Sequence, residues 1–252
     1  MPFTHPPEFS TLALTLGTLI ALHALVVEPL WGKRLYDDLV RDREIDRHGL
    51  IRLFGLSGLV WWGLTGIAFL AVAVSPGASL EHLGLRVPEE GLAETLGTVV
   101  GVTFVLVVVM IVMRVTGVEQ RILKAQGFSA MLPRNARERW VGLGGSVTAG
   151  VCEEILFRGL LIALGVSLGL HVYVAAALSL AIFVLCHLYQ GRTGMLQVAL
   201  LGGAFTHLYL STGSLLLSIA VHILVDMRVL VFGMSPREDD ERRGAETVGV
   251  GS

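Results

Sequence analysis

The sequence predicts an all-α fold, a polytopic membrane helix bundle of about seven transmembrane helices. Hydrophobic residues make up 53% of the chain and charged residues only 16%, against roughly 25% charged in soluble domains. Apolar runs of about 20 residues, the length that crosses a bilayer as a helix, recur along the chain. We therefore expect one integral membrane domain over residues 1–235 and a polar, disordered tail over 236–252.

Each predicted span ends at charged residues, at glycine or proline, or at an aromatic residue of the kind that anchors helices at the membrane surface. The first run has no basic residue before it and is too long for the apolar region of a signal peptide, so it is expected to be retained. The seven predicted spans are Phe9–Trp31, Leu50–Ser75, Thr95–Val115, Trp140–Leu168, Val172–Tyr189, Met195–Leu210 and Ser214–Phe232.

Basic residues are concentrated in alternate loops, which predicts the orientation. The loops Gly32–Gly49 and Thr116–Arg139 each carry five arginine or lysine residues, whereas Pro76–Glu94 carries only Arg86. Because basic loops stay in the cytoplasm, the N-terminus is predicted outside and the C-terminal tail inside, in a prokaryotic plasma membrane. The net charge of −2 provides no basic excess for nucleic acid, so the lipid bilayer is the expected environment.

Ionisable residues occur inside three of the last four predicted spans, where each costs about 2.5–3.5 kcal/mol on insertion scales. They are Glu153, Glu154 and Arg158 in the fourth span, His187 in the fifth, and His222 and Asp226 in the seventh. Six such groups on three helices exceed what packing alone requires, and they predict a functional site.

Two further ionisable residues in the first span have simpler interpretations. His23 is expected to hydrogen-bond a neighbouring helix. Glu28, beside Pro29 near a predicted span end, is expected to lie at the membrane interface.

Helical spacing separates the two adjacent acids. Glu154 and Arg158 stand four residues apart with the acid first, the favourable order for an ion pair within a helix. Glu153 lies about 100° around the helix from its neighbour and is a poorer partner for Arg158. We expect Glu154 to be the structural acid and Glu153 to be free for chemistry.

The remaining groups have the spacing expected of a shared pocket. His222 and Asp226 stand four residues apart on one helix face, and Phe183 precedes His187 by one turn, where it can form an apolar wall. Three helices can therefore bring a free carboxylate and two imidazoles together.

Such a set suits hydrolysis by activated water, because the carboxylate can act as general base while one histidine holds the water. The other histidine, with the group one turn after it, can stabilise the oxyanion that develops on the scissile carbonyl. Alternatively, Glu153, His187 and His222 are a sufficient ligand set for catalytic zinc with an open fourth position. The residues leave both versions open.

In order and placement these residues resemble the CAAX protease and bacteriocin-processing (Abi) family, which includes the Ras-converting CAAX endopeptidases. Glu153, Glu154 and Arg158 match its Glu-Glu-x-x-x-Arg motif, and Phe183 and His187 match Phe-x-x-x-His. The third motif, His-x-x-x-Asn or Asp, is matched by His222 and Asp226. The resemblance covers a catalytic core of about residues 138–232.

This resemblance implies an active site in an intramembrane cavity and hydrolysis of peptide bonds in a membrane-associated substrate. It places Glu153 and His187 on the attacking water and the pair His222–Asp226 at the oxyanion side, with Glu154 and Arg158 as support. Members are described both as metalloproteases and as metal-free glutamate proteases, so a divalent metal such as Zn²⁺ stays open. Asp226 replaces the commoner asparagine, which matters because an ionised aspartate only accepts hydrogen bonds.

Two other classes of function compete with a protease. A catalytically silent membrane scaffold, or an immunity-type interaction protein, would keep the polar core for helix packing. A transporter could use the same groups as a proton relay, but no inverted repeat or pair of broken helices is visible in the sequence. The full set of hydrolytic residues favours the enzyme.

Overall fold

The computed structural model describes residues 5–88 and 128–232, together with a few single positions between 93 and 116. Apart from one isolated bridge between Glu8 and Gly77, the described part consists of helices and their connections. The all-α prediction is confirmed. Apart from those single positions, the predicted third span falls outside the described residues, as does the predicted tail 236–252.

Six helices make up this part of the bundle. Helix α1 is Thr11–Asp42 and contains a π-helical turn at His23–Val27, and α2 is Gly49–Ala73. Helix α3 covers 136–167 and is π-helical over Glu154–Leu161. The last three are α4 at Val172–Cys186, α5 at Gly191–Thr212 and α6 at Leu215–Leu230.

Helix lengths support a membrane bundle without confirming seven spans. In the part that the structure describes, α1 and α2 are each long and apolar enough to cross a membrane. Helices α4 and α5 satisfy the same criteria only as a pair, with a bend of 53° at the break between them. The helical membrane fold is thus shown, while the count of seven remains a prediction.

Side-chain caps explain where several helices begin. The side chains of Ser10, Asn135 and Ser214 each accept a hydrogen bond from a backbone N–H in the first turn of α1, α3 and α6. Such caps satisfy donors that the helix itself leaves unpaired. Helix α5 ends at Thr212 and is capped by Gly213, whose φ of 67° is left-handed and easily adopted by glycine.

Helix α3 packs against α6 and α2 through glycines. A Cβ atom at Gly142 or Gly150 would overlap backbone or side-chain atoms of α6, and one at Gly145 would overlap Phe54 of α2. Close approach through small residues is typical of membrane helices, and the sequence predicted it for Gly142–Gly150.

A buried ion pair joins the end of α1 to the start of α3. The Arg43 guanidinium donates to both carboxylate oxygens of Glu138, at 3.0 and 2.6 Å. Arg139 donates to the carbonyl of Val231, just past α6. The two basic loops and the last helix therefore meet at one end of the bundle, as the predicted topology requires. Which side of the membrane that end faces remains a prediction.

Candidate active site

A cavity of about 240 Å³ lies between the helices, and all six contribute to its wall. Four of the predicted site residues line it: Glu153 from α3, His187 after α4, and His222 and Asp226 from α6. The other two, Glu154 and Arg158, are 0% and 1% exposed and lie behind the wall. The structure thus brings all three sequence motifs to one place.

The two adjacent acids lie where α3 changes its helical form. Glu153 is the last residue of the regular α-helical part, and Glu154 begins the π-helical stretch Glu154–Leu161. Turns of this kind are rare and frequently occur at functional sites. Here Glu153 faces the cavity while Glu154 is enclosed by the protein.

Glu154 has two partners rather than the one predicted. Its Oε1 accepts a hydrogen bond from Arg158 at 3.1 Å, which is the predicted ion pair. The same oxygen lies 2.8 Å from Nδ1 of His222. Since a carboxylate only accepts, Nδ1 carries the proton and donates it. Glu154 therefore also orients the imidazole of α6.

The buried guanidinium of Arg158 has hydrogen-bond partners and an aromatic ring around it. Besides Glu154 it donates to the carbonyl of Gly202 at 3.0 Å and to the Thr206 hydroxyl at 3.4 Å. The guanidinium lies 4.2 Å from the centre of the Phe183 ring, a cation–π contact. Sequence reasoning missed Gly202 and Thr206 as partners, although the small residues in that span were the available signal.

The imidazole of His222 presents its other nitrogen to the cavity. Nε2 lies 3.8 Å from Oε2 of Glu153 and 3.8 Å from Oδ2 of Asp226. The ring stacks on Phe205, with centroids 4.8 Å apart. Glu154 on one nitrogen and Phe205 on the ring face together fix the direction of Nε2.

His187 follows the last residue of α4, at the break before α5. Its Nδ1 lies 2.7 Å from the carbonyl of Phe183, and because a carbonyl only accepts, Nδ1 is the protonated nitrogen. The other nitrogen, Nε2, is left with a lone pair. The Phe183 ring is 4.8 Å from the imidazole and forms the predicted apolar wall.

The predicted metal ligands do not form a binding group here. Across residues 5–88 and 128–232 no three His, Cys, Asp or Glu side chains are arranged to hold a metal ion. Glu153, His187 and His222 all line the cavity, and their use as metal ligands stays a prediction.

The sequence did not indicate that Glu28 belongs to the cavity wall. Glu28 was expected at the membrane interface, but it is 7% exposed and lines the cavity. Helix α1 continues past Glu28 to Asp42, so the acid lies within a continuous helix and is enclosed by its neighbours, while its depth in the membrane stays a prediction. The π-helical turn that precedes Glu28 left no recognisable mark in the sequence.

Fold and site together define a helical membrane protein with a buried glutamate–histidine site. Residues 135–228 match the protein-family model described as type II CAAX prenyl endopeptidase Rce1-like. The matched segment contains all six predicted site residues, and it confirms the resemblance to the CAAX protease and bacteriocin-processing family. Comparisons with curated proteins and with solved structures found no significant match.

Proposed function

We propose that the protein is an intramembrane endopeptidase that hydrolyses a peptide bond in a membrane-associated substrate. The observation that carries this proposal is the difference in surroundings between the two adjacent acids. Glu154 is held by Arg158 and His222, whereas Glu153 faces a cavity that also contains His187. A carboxylate that forms no short hydrogen bond, in the same cavity as an imidazole nitrogen with a lone pair, is suited to water activation.

In the first step, Glu153 takes a proton from a water molecule in the cavity. The lone pair on Nε2 of His187 accepts the water's second hydrogen bond and positions it. The resulting hydroxide attacks the carbonyl carbon of the scissile bond, and the carbonyl π electrons move onto oxygen. The first intermediate is thus tetrahedral and carries one negative charge.

His222 is placed to stabilise that charge. Its Nδ1 proton is bound by Glu154, and in the doubly protonated ring Nε2 also donates. The carboxylates of Glu154, Glu153 and Asp226 surround this imidazolium and compensate its charge. A preorganised donor directed at a developing oxyanion typically contributes about 100- to 1000-fold to the rate.

Collapse of the intermediate completes the reaction. The oxyanion re-forms the carbonyl and the C–N bond breaks. The proton held by Glu153 passes to the leaving nitrogen, which departs as a neutral amine. The other fragment leaves as a carboxylic acid, which still carries the second proton of the water and releases it to bulk water to become a carboxylate. Glu153 regains its starting state, so no other reactant is consumed.

Cleavage of a membrane-associated peptide by the protein in liposomes tests the proposal. We expect turnover by the wild type and a loss of about 100- to 10,000-fold in Glu153→Gln, since removal of a general base has that effect. Glu81→Gln, which changes an exposed acid on a short turn, is the matched control and should cleave normally. Equal cleavage rates in all three proteins would refute the role of Glu153, and no cleavage by the wild type would refute the proposal and favour a membrane scaffold.

A further inference from the structure

The first helix contributes a second carboxylate to the wall of the cavity. Glu28 belongs to α1, outside the segment that matches the protease family, and is 7% exposed. Its Oε2 is buried and has no hydrogen-bond partner among the residues that the structure describes. The nearest basic atom is Nε2 of His23 at 3.7 Å, which is beyond hydrogen-bond distance.

The backbone of α1 holds this carboxylate in place. The N–H of Glu28 donates to the carbonyl of His23, five residues earlier, which closes the π-helical turn His23–Val27. The wider turn brings His23 and Glu28 closer to one face than a regular α-helix would. One turn later, Gly32 leaves room for the carboxylate, since a Cβ there would lie 3.1 Å from Oε1.

The charges around the cavity favour a cationic ligand. Its wall carries three acids, Glu28, Glu153 and Asp226. Two cations face them, Arg228, which interacts electrostatically with Asp226, and the His222 imidazolium of the proposed mechanism, so one negative charge is left uncompensated. The guanidinium of Arg158 forms an ion pair with Glu154. A carboxylate that is buried without a donor costs free energy, which a donor on a bound ligand would offset.

We propose that Glu28 binds an amino or guanidinium group of the substrate and thereby selects peptides with a positively charged residue near the scissile bond. This inference rests on the proposed function and adds a specificity-determining residue to it. The cation would lie in the same cavity as Glu153, between α1 and the catalytic helices.

The experiment compares peptides in which lysine or norleucine, its uncharged counterpart of similar length, occupies each position flanking the cleaved bond. We expect the wild type to prefer lysine at one position by roughly 10- to 100-fold in kcat/KM, the size expected of a charge-assisted hydrogen bond. In Glu28→Gln the lysine-to-norleucine ratio should fall to about 1. Asp37→Asn, which neutralises an exposed acid on the same helix, should keep the wild-type ratio.

Gly32→Ala provides a second variant if Glu28→Gln fails to insert or fold. The added methyl group would shift the carboxylate by a few tenths of an ångström, so we expect a smaller fall of the ratio than in Glu28→Gln. A wild type without preference at any position would overturn the inference, as would an unchanged ratio in folded Glu28→Gln. Equal loss of both peptides in that variant would overturn it too. Failure of the proposed function looks different, because Glu153→Gln would then cleave the norleucine peptide as fast as the wild type.

Discussion

The two adjacent glutamates should fail in different ways when each is changed to glutamine. In Glu154→Gln the buried Arg158 loses the carboxylate at 3.1 Å, and Nδ1 of His222 loses its acceptor at 2.8 Å. Removing one partner of a buried pair typically costs about 3–5 kcal/mol because the other charge stays buried. Glu153 makes no comparable contact, so Glu153→Gln should change the free energy of unfolding little.

Thermal unfolding in detergent measures this difference. A cost of 3–5 kcal/mol corresponds to a lowering of Tm on the order of 10 °C for a chain of this size. We expect Glu154→Gln to show that shift and Glu153→Gln to unfold near the wild-type temperature while being inactive. The roles of the two acids would be reversed if Glu153→Gln kept near-normal turnover and Glu154→Gln folded normally without activity.

Four further results are expected. His187→Ala should insert and fold but lose cleavage, and normal cleavage by the folded variant would remove His187 from the water site. Asp226→Asn should retain activity to within about tenfold, because Glu154 already orients His222 through Nδ1; an inactive variant that zinc restores would instead indicate a metal site. Burial by itself raises the pKa of the Glu138 carboxyl group. Hydrogen bonds from the Arg43 side chain and the Arg134 backbone, together with the positive charges of Arg43 and Arg134, have a larger opposite effect and hold the pKa below its ordinary value. The stability this carboxylate contributes is therefore complete above the ordinary pKa of glutamate and lost as the pH falls through the lowered value, and Glu138→Gln should flatten that part of the stability profile. Single cysteines replacing Arg41 or Arg242 in a Cys-free background should resist an impermeant reagent in intact cells, whereas one at Glu89 should react; labelling at position 242 would refute the seven-span topology.

Local sequence patterns predicted most of the helices and the composition of the site. The predicted first span ends at Trp31, whereas the helix that contains it, α1, continues to Asp42. Its last turns carry ion pairs such as Lys33 with Asp37, four residues apart, which support an exposed polar helix beyond the apolar run. Hydropathy detects where an apolar run ends, not where the helix ends.

Contacts between distant helices were not predictable from spacing. The pair Glu154–Arg158 follows from one helix, so the sequence predicted it. The bond from His222 to Glu154 depends on which faces of α3 and α6 meet, and the glycines on α3 set that approach. The burial of Glu28 depends likewise on the π-helical turn before it.

The most direct test of the central claim is hydrolysis in ¹⁸O-labelled water by the protein reconstituted in liposomes with a membrane-associated peptide. We predict that mass spectrometry will find one ¹⁸O atom in the new C-terminal carboxylate of the cleaved fragment. The fragment should form with the wild type and be reduced at least about 100-fold with Glu153→Gln, as expected for loss of a general base. Fragment formation at the same rate with Glu153→Gln, or no fragment with the wild type, would contradict the account.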